Sequence, residues 1–136
     1  MTEKEKRKVK ELKRFISSKK EIEQLKEEIL YLEEQKTSIK SQIIKDMPKG
    51  GSERWELESI LEDIENASKI LNRKRRKLIK NLLKIENIIE KLEPTERTIM
   101  RCRYVSDMKW EDIGRKTNYV RESVIRIHKD IIKKIS

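Results

Sequence analysis

Apolar residues in the first two thirds of the chain recur in alternating steps of three and four, the pattern of a helix that buries one narrow seam. No Pro or Gly interrupts the chain from about Glu3 to Asp46, and a second such segment runs to about Lys91. The first seam contains Phe15, Ser18, Ile22, Leu25, Ile29, Leu32, Lys36, Ile39 and Ile43, where the polar residues Ser18 and Lys36 interrupt it. The second seam contains Leu57, Ile64, Leu71, Leu78, Ile85 and Leu92. The pattern predicts two long helices, each about 60 Å in length.

A short break separates these helices. Pro48, Gly50 and Gly51 stop the first one, and Ser52 is suited to cap the second. We therefore expect residues 1–91 to form an antiparallel coiled-coil hairpin with its turn at 47–52. Because two helices alone bury little surface, we expect hairpins from two chains to associate as a homodimer. The alternative is a hairpin that folds back on its own C-terminal head, residues 92–136.

The head begins with a helix signal of its own. Glu93 is a suitable cap, with Pro94 at the first helical position. This helix should end near Ser106, with Ile99 and Cys102 facing inward. Cys102 is the only cysteine, which excludes an intrachain disulfide, and a buried structural thiol is the favoured interpretation.

The segment from Trp110 to Lys129 has the pattern of a helix-turn-helix unit. Asn118 falls where the turn requires a left-handed residue. Inward-facing positions across the two helices are predicted at Ile113, Tyr119, Val124 and Ile127, and the apolar stripe of the second helix at Val120, Val124, Ile127 and Ile131. Its opposite face carries Glu122, Arg126, Lys129 and Lys133. A helix with an apolar back and a mostly basic front suits the DNA major groove.

Composition and charge agree with an all-α DNA-binding protein. Only 35% of residues are hydrophobic and 44% are charged, which suits long helices better than a large globular core. The net charge of +10 favours a polyanionic partner. We expect a cytoplasmic protein with no membrane partner, since neither a secretory signal nor a membrane-spanning run is present. The basic run 73–77 is interpreted as a solvated helix face, with a contact to flanking nucleic acid as the alternative.

Candidate DNA contacts follow from position on the two helices. Side chains on the second helix that can reach base edges are Arg121, Glu122, Ser123 and Arg126. Side chains suited to phosphates are Lys109, Arg115, Lys116, Lys129 and Lys133. The alternative for Glu122 and Arg126 is an ion pair on a solvated face.

Catalytic and metal chemistry find little support in the sequence. His128 is the only histidine, so no His/Cys cluster can hold a metal, and no Ser/His/acid arrangement can be assembled. Lys49-Gly-Gly lacks the spacing of a phosphate-binding loop. Tyr31, Trp55 and Trp110 are interpreted as packing residues. We therefore expect a non-enzyme without cofactors.

The head also resembles a known family. Leu92-Glu-Pro-Thr-Glu-Arg-Thr-Ile-Met-Arg-Cys-Arg-Tyr looks like the opening of region 4 of sigma-70 factors, Trp110-Glu-Asp-Ile-Gly like its first reading helix, and Val120-Arg-Glu-Ser-Val-Ile-Arg-Ile like its recognition helix. The resemblance implies DNA contacts at Arg121, Glu122 and Arg126. Val120 departs from the usual Ser or Thr cap, and Ile125 stands where many members carry a contacting Arg. Nothing resembles region 2, so the resemblance does not extend to a complete sigma factor.

The whole-chain pattern, including Met47-Pro-Lys-Gly-Gly, is similar to phage and prophage regulators of the ArpU and RinA types and a related uncharacterised phage family. This resemblance implies a transcription regulator of phage genes that binds double-stranded DNA, with RNA polymerase as a candidate further partner. A small-terminase-like subunit that recognises DNA for packaging is the first alternative. A coiled-coil protein adaptor is the second.

Overall fold

The chain folds as an all-helical protein, as the sequence predicts. A computed structural model describes residues 1–46 and 52–136. Five helices make up nearly all of these ranges, and they are α1 (Glu3–Asp46), α2 (Ser52–Ile89), α3 (Pro94–Tyr104), α4 (Trp110–Thr117) and α5 (Arg121–Ile135). The predicted turn at 47–52 lies outside the described residues, apart from Ser52 as the first residue of α2. No helix in these ranges combines the length and the apolar character of a membrane-crossing segment.

The helices divide into two compact units. One unit contains residues 20–76, and the other contains residues 1–19 together with 77–136. The long helices α1 and α2 therefore contribute to both units. The sequence predicts a domain boundary between residues 91 and 92, from the order of the helices along the chain. The two units are defined instead by which residues pack together, and they combine both ends of the helix pair with residues 92–136.

In the unit formed by residues 20–76, the apolar seams are inward-facing. Ile22 and Leu71 are buried, and Lys74 forms an ion pair with Glu21 at 2.9 Å between Nζ and Oε2. Trp55 is 69% exposed and Tyr31 is 60% exposed, so neither is a packing residue within the single folded chain. Each lies about 200° around its helix from a seam residue, Leu57 or Ile29, and so faces away from the seam.

The unit formed by residues 1–19 and 77–136 contains the main core. Its buried members come from both long helices and from the head, and they are Leu12, Phe15, Ile85, Ile89, Leu92, Met100, Tyr104, Ile131 and Ile132. The start of α1 and the end of α2 thus supply one side of the core on which α3 and α5 pack. The alternative in which the helix pair packs on its own head is realised in this unit.

A second, smaller cluster joins α3, α4 and α5. Ile99, Cys102, Ile113 and Val124 are buried there together. Cys102 is only 3% exposed, which confirms the interpretation of a buried thiol. At the start of α3, the Glu93 backbone N–H donates a hydrogen bond to Glu96 Oε1 at 3.1 Å, with Pro94 as the first helical residue, as the sequence indicates.

Candidate nucleic-acid interface

A tight turn joins α4 to α5. Asn118 ends α4 in the left-handed conformation, with φ of 61° and ψ of 32°, as predicted from its residue type. The Tyr119 backbone N–H donates to the Gly114 carbonyl oxygen at 3.0 Å. The Thr117 hydroxyl donates to the Ile113 carbonyl oxygen at 2.7 Å, so this side chain is bonded back onto the last turn of α4.

Gly114 allows the turn to fold this closely over α4. A Cβ atom at this position would lie 2.6 Å from the Tyr119 carbonyl oxygen, a backbone atom that cannot rotate away. The same Cβ would lie 3.6 Å from the backbone nitrogen of Arg121, the first residue of α5. The glycine therefore determines how near the start of α5 approaches α4.

The back of α5 is fixed by burial. Its buried residues are Val124, His128, Ile131 and Ile132, with Ile127 half-buried beside them. The predicted stripe is correct at Val124 and Ile131 but wrong at Val120, which is 65% exposed. Val120 has an extended backbone, with φ of −74° and ψ of 154°, so it precedes the helix and does not follow its periodicity. Tyr119, 44% exposed, was also expected inside and lies in the same non-helical turn.

The front of α5 is exposed and mostly basic. Among the base-contact candidates, Arg121, Glu122 and Arg126 are exposed, whereas Ser123 is half-buried. The phosphate-contact candidates are all exposed, and they are Lys109, Arg115, Lys116, Lys129 and Lys133. The last two share the exposed face of α5 with Arg126. Lys109 is the cap residue that precedes α4, and Arg115 and Lys116 lie in its last turn.

One local ion pair involves these side chains. Arg115 Nη1 lies 3.2 Å from Asp112 Oδ1, an exposed pair that costs little to break. Within the described residues, no ion pair joins Glu122 to Arg126. The solvated ion pair considered from the sequence is therefore not formed, and both side chains are available to a ligand.

A buried polar cluster supports α5 from beneath. The Tyr104 hydroxyl and His128 Nε2 are joined by a hydrogen bond. The Trp110 ring packs on the other side of His128, with ring centroids 4.7 Å apart. The Arg103 guanidinium lies 4.0 Å from the centre of the Trp110 ring, and its Nη1 donates to the Met108 carbonyl oxygen at 3.0 Å.

The protonation of this cluster follows from its burial. Desolvation lowers the pKa of His128 to about 4, with the charges of Arg103, Lys13 and Lys129 acting in the same direction. Desolvation raises the pKa of Tyr104 to about 12. At neutral pH both groups are therefore uncharged, so α5 rests on a neutral hydrogen-bonded pair.

Trp110 is a packing residue, as the sequence predicts, whereas the burial of His128 is not among the predictions. The available signal was its spacing: His128 lies four residues after Val124 and three before Ile131, on the apolar side of α5. Within the described residues, no group of His, Cys, Asp or Glu side chains is arranged to hold a metal ion. The surface of α5 presents exposed guanidinium, ammonium and carboxylate groups.

No protein-family model matches this chain, and neither a curated protein nor a solved structure matches it.

Proposed function

We propose that this protein is a sequence-specific DNA-binding transcription regulator that inserts α5 into the major groove. In this proposal α4, the turn at Asn118 and α5 act as a helix-turn-helix unit. Base edges are contacted by Arg121, Glu122, Ser123 and Arg126, and phosphates by Lys109, Arg115, Lys116, Lys129 and Lys133. The resemblance of the head to sigma-70 region 4 supports a role in the transcription of phage or prophage genes.

The observation that carries this proposal is the contrast between the two faces of α5. Val124, Ile131 and Ile132 are completely buried, while Arg126 and the two following lysines on the front are exposed. A groove-reading helix needs both properties, because a fixed back sets the position of the side chains that read the bases. The exposed positive charge supplies the attraction to phosphates.

Within this face, Arg126 is the strongest candidate for sequence discrimination. Its guanidinium can donate two hydrogen bonds to O6 and N7 of guanine, a contact that contributes about 1–3 kcal/mol of discrimination. Glu122, one turn earlier on the same side, can accept from the amino group of cytosine. Ser123, half-buried, has the least reach of the four base-contact candidates.

Selection of bound sequences from a random DNA library tests the proposal. We expect a recovered motif and, for Arg126→Ala, about a 5- to 150-fold loss of affinity for that motif with a much smaller loss on unrelated DNA. Lys116→Ala is the matched control, since a phosphate contact should weaken both DNAs equally. Failure of the unaltered protein to bind any DNA at low salt would refute the proposal.

Self-association is part of the proposal. Among the described residues of the unit formed by residues 20–76, the exposed large apolar side chains are Leu30, Tyr31, Ile44, Trp55, Leu61 and Ile70. Exposed apolar surface of this kind favours a protein contact, and we propose a second copy of the chain, giving a homodimer. Light scattering tests this: a dimer supports the regulator, a ring of eight or more copies supports the packaging alternative, and a monomer refutes self-association.

The adaptor alternative relies on the same exposed residues. If the head no longer reads DNA, these side chains would bind a different protein. Salt-dependent DNA affinity distinguishes the two functions, because the regulator requires it and the adaptor does not.

A further inference from the structure

The first turns of α1 lie beside the C-terminal half of α5. Thr2 and Glu5 line a shallow groove together with Lys129 and Lys133, and Met1 and Asp130 complete its lining. Two turns further into α1 the chain enters the core, where Leu12 is buried in the same cluster as Ile131 and Ile132 of α5. The start of α1 is therefore packed against the helix that we propose reads DNA.

A capping box holds this part of α1 in a defined conformation. The Thr2 backbone N–H donates to Glu5 Oε2 at 3.0 Å, and the Glu5 backbone N–H donates to Thr2 Oγ1 at 3.2 Å. This reciprocal pair fixes the first turn of the helix. The Glu5 carboxylate accepts one of these hydrogen bonds. Asp130 is the other acidic side chain that lines the groove.

Two lysines follow Thr2 along the same side of α1. Lys6 lies one turn after Thr2, and Lys13 lies two turns after Lys6, so the three positions share a helix face. Both lysines are exposed, and the charge of Lys13 acts on His128 of α5. Lys6 pairs with Glu3 at 3.9 Å, but both side chains are largely exposed and the pair is weak.

The other side of α1 faces a different part of the unit. Lys8 lines a separate groove with Lys91 of the α2–α3 connection and Lys134. Lys4 lies one turn before Lys8, and Arg7 lies three residues after Lys4, so both lie away from the side that carries Lys6 and Lys13. Lys4 and Arg7 are also exposed and provide an internal comparison on the same helix.

We propose that Lys6 and Lys13 contact the DNA phosphate backbone beside Lys129 and Lys133, so that α1 extends the DNA footprint. This inference rests on the proposed DNA binding. α4 packs through Ile113 against the N-terminal half of α5, at Val124, whereas α1 packs against its C-terminal half. Basic side chains from α4 and from α1 would therefore contact backbone at different points along the bound helix, and such contacts fix orientation without reading sequence.

The salt dependence of affinity tests this proposal, because each phosphate contact contributes about 0.9 to the slope of log K against log salt concentration. Binding of the full chain to a short duplex would be measured from about 50 to about 200 mM salt. The double variant Lys6→Gln/Lys13→Gln should lower the slope by about 1.8, so that the affinity lost over this fourfold range is about 12-fold smaller. Sequence preference should not change.

The matched control is Lys4→Gln/Arg7→Gln, which removes the same charge from positions of the same helix that lie about 100° or more around it from Lys6 and Lys13. Its slope should stay within about 0.5 of that of the unaltered protein. Equal slope changes in the two double variants would indicate a general charge effect and overturn the proposal, as would an unchanged slope in Lys6→Gln/Lys13→Gln. Absence of binding by the unaltered protein would instead refute the proposed function. Thermal unfolding of each variant establishes that it is folded.

Discussion

Replacing Gly114 by Ala tests how tightly α4 and α5 are joined. The added methyl group would lie 2.6 Å from the Tyr119 carbonyl oxygen, about 0.8 Å inside the 3.4 Å at which ordinary contact begins. The obstructing atom belongs to the backbone of the turn, so no side-chain rotation can relieve the overlap. The turn must therefore move, and the start of α5 must move with it.

The expected loss of stability combines two opposing effects. Inserting a methyl group into a closely packed site costs about 1–3 kcal/mol, and the fixed position of the carbonyl favours the upper half of that range. Ala in place of Gly within a helix returns about 1 kcal/mol. We therefore expect Gly114→Ala to lower the free energy of unfolding by about 1–2 kcal/mol, which corresponds to about 3–7 °C in Tm.

Thermal unfolding followed by circular dichroism measures this effect. Lys116→Ala is the control, because it introduces the same residue at an exposed position of the same helix and should change stability by no more than about 0.5 kcal/mol. A Gly114→Ala protein as stable as the unaltered protein would show that the approach of the turn to α4 is not close, and the reasoning would fail.

Three further perturbations test the packing around α5. The pKa of His128 is about 4 in the folded protein, against an ordinary value of 6.5. Between pH 4 and pH 6.5 the folded protein therefore binds fewer protons than the unfolded chain. The free energy of unfolding should therefore fall by up to about 3 kcal/mol as the pH drops from 6.5 toward 4. In His128→Gln, the free energy of unfolding should change less with pH over this range. Val120 occupies the cap position of α5 without a side-chain hydrogen bond, so Val120→Ser should raise the unfolding free energy by about 0.5–1 kcal/mol in urea titration, and a loss would contradict the cap assignment. A fragment of residues 92–136 lacks Leu12 and Ile89 from its core, so it should show little cooperative unfolding in calorimetry, whereas a sharp transition would show that the head folds alone.

Much of the secondary structure could be predicted from local sequence signals. The first helix is predicted from Glu3 to Asp46 and observed with those bounds, because no Pro or Gly intervenes. Pro94 marks the start of α3 because it can occupy the first turn without losing a hydrogen bond. Asn118 marks the end of α4 because it tolerates the left-handed conformation. In each case one residue type has a strong preference that does not depend on tertiary packing.

The set of α5 residues that are buried is harder to predict, because it depends on where the helix begins. The sequence placed Val120 in the apolar stripe, but the turn holds Val120 outside the helix, and His128 takes the inward position instead. The side chain of His128 is acceptable there because Tyr104, 24 residues earlier in the chain, supplies a hydrogen-bond partner. Such a pairing depends on the packing of α3 against α5 and has no local signal in the sequence.

Packing between the long helices and the head shows a similar limit. Heptad spacing indicates that Phe15 and Ile85 face inward, but it does not specify what covers them. In the structure they belong to the same core as Met100 and Ile132, so α1 and α2 form part of the unit that contains α5. Because a buried side chain of this size contributes about 1.5–3 kcal/mol, the ends of the helix pair stabilise the proposed reading unit directly. The exposed apolar residues between positions 20 and 76 belong to the other unit, so substitutions there should affect the proposed self-association while leaving the folding of the unit that contains α5 intact.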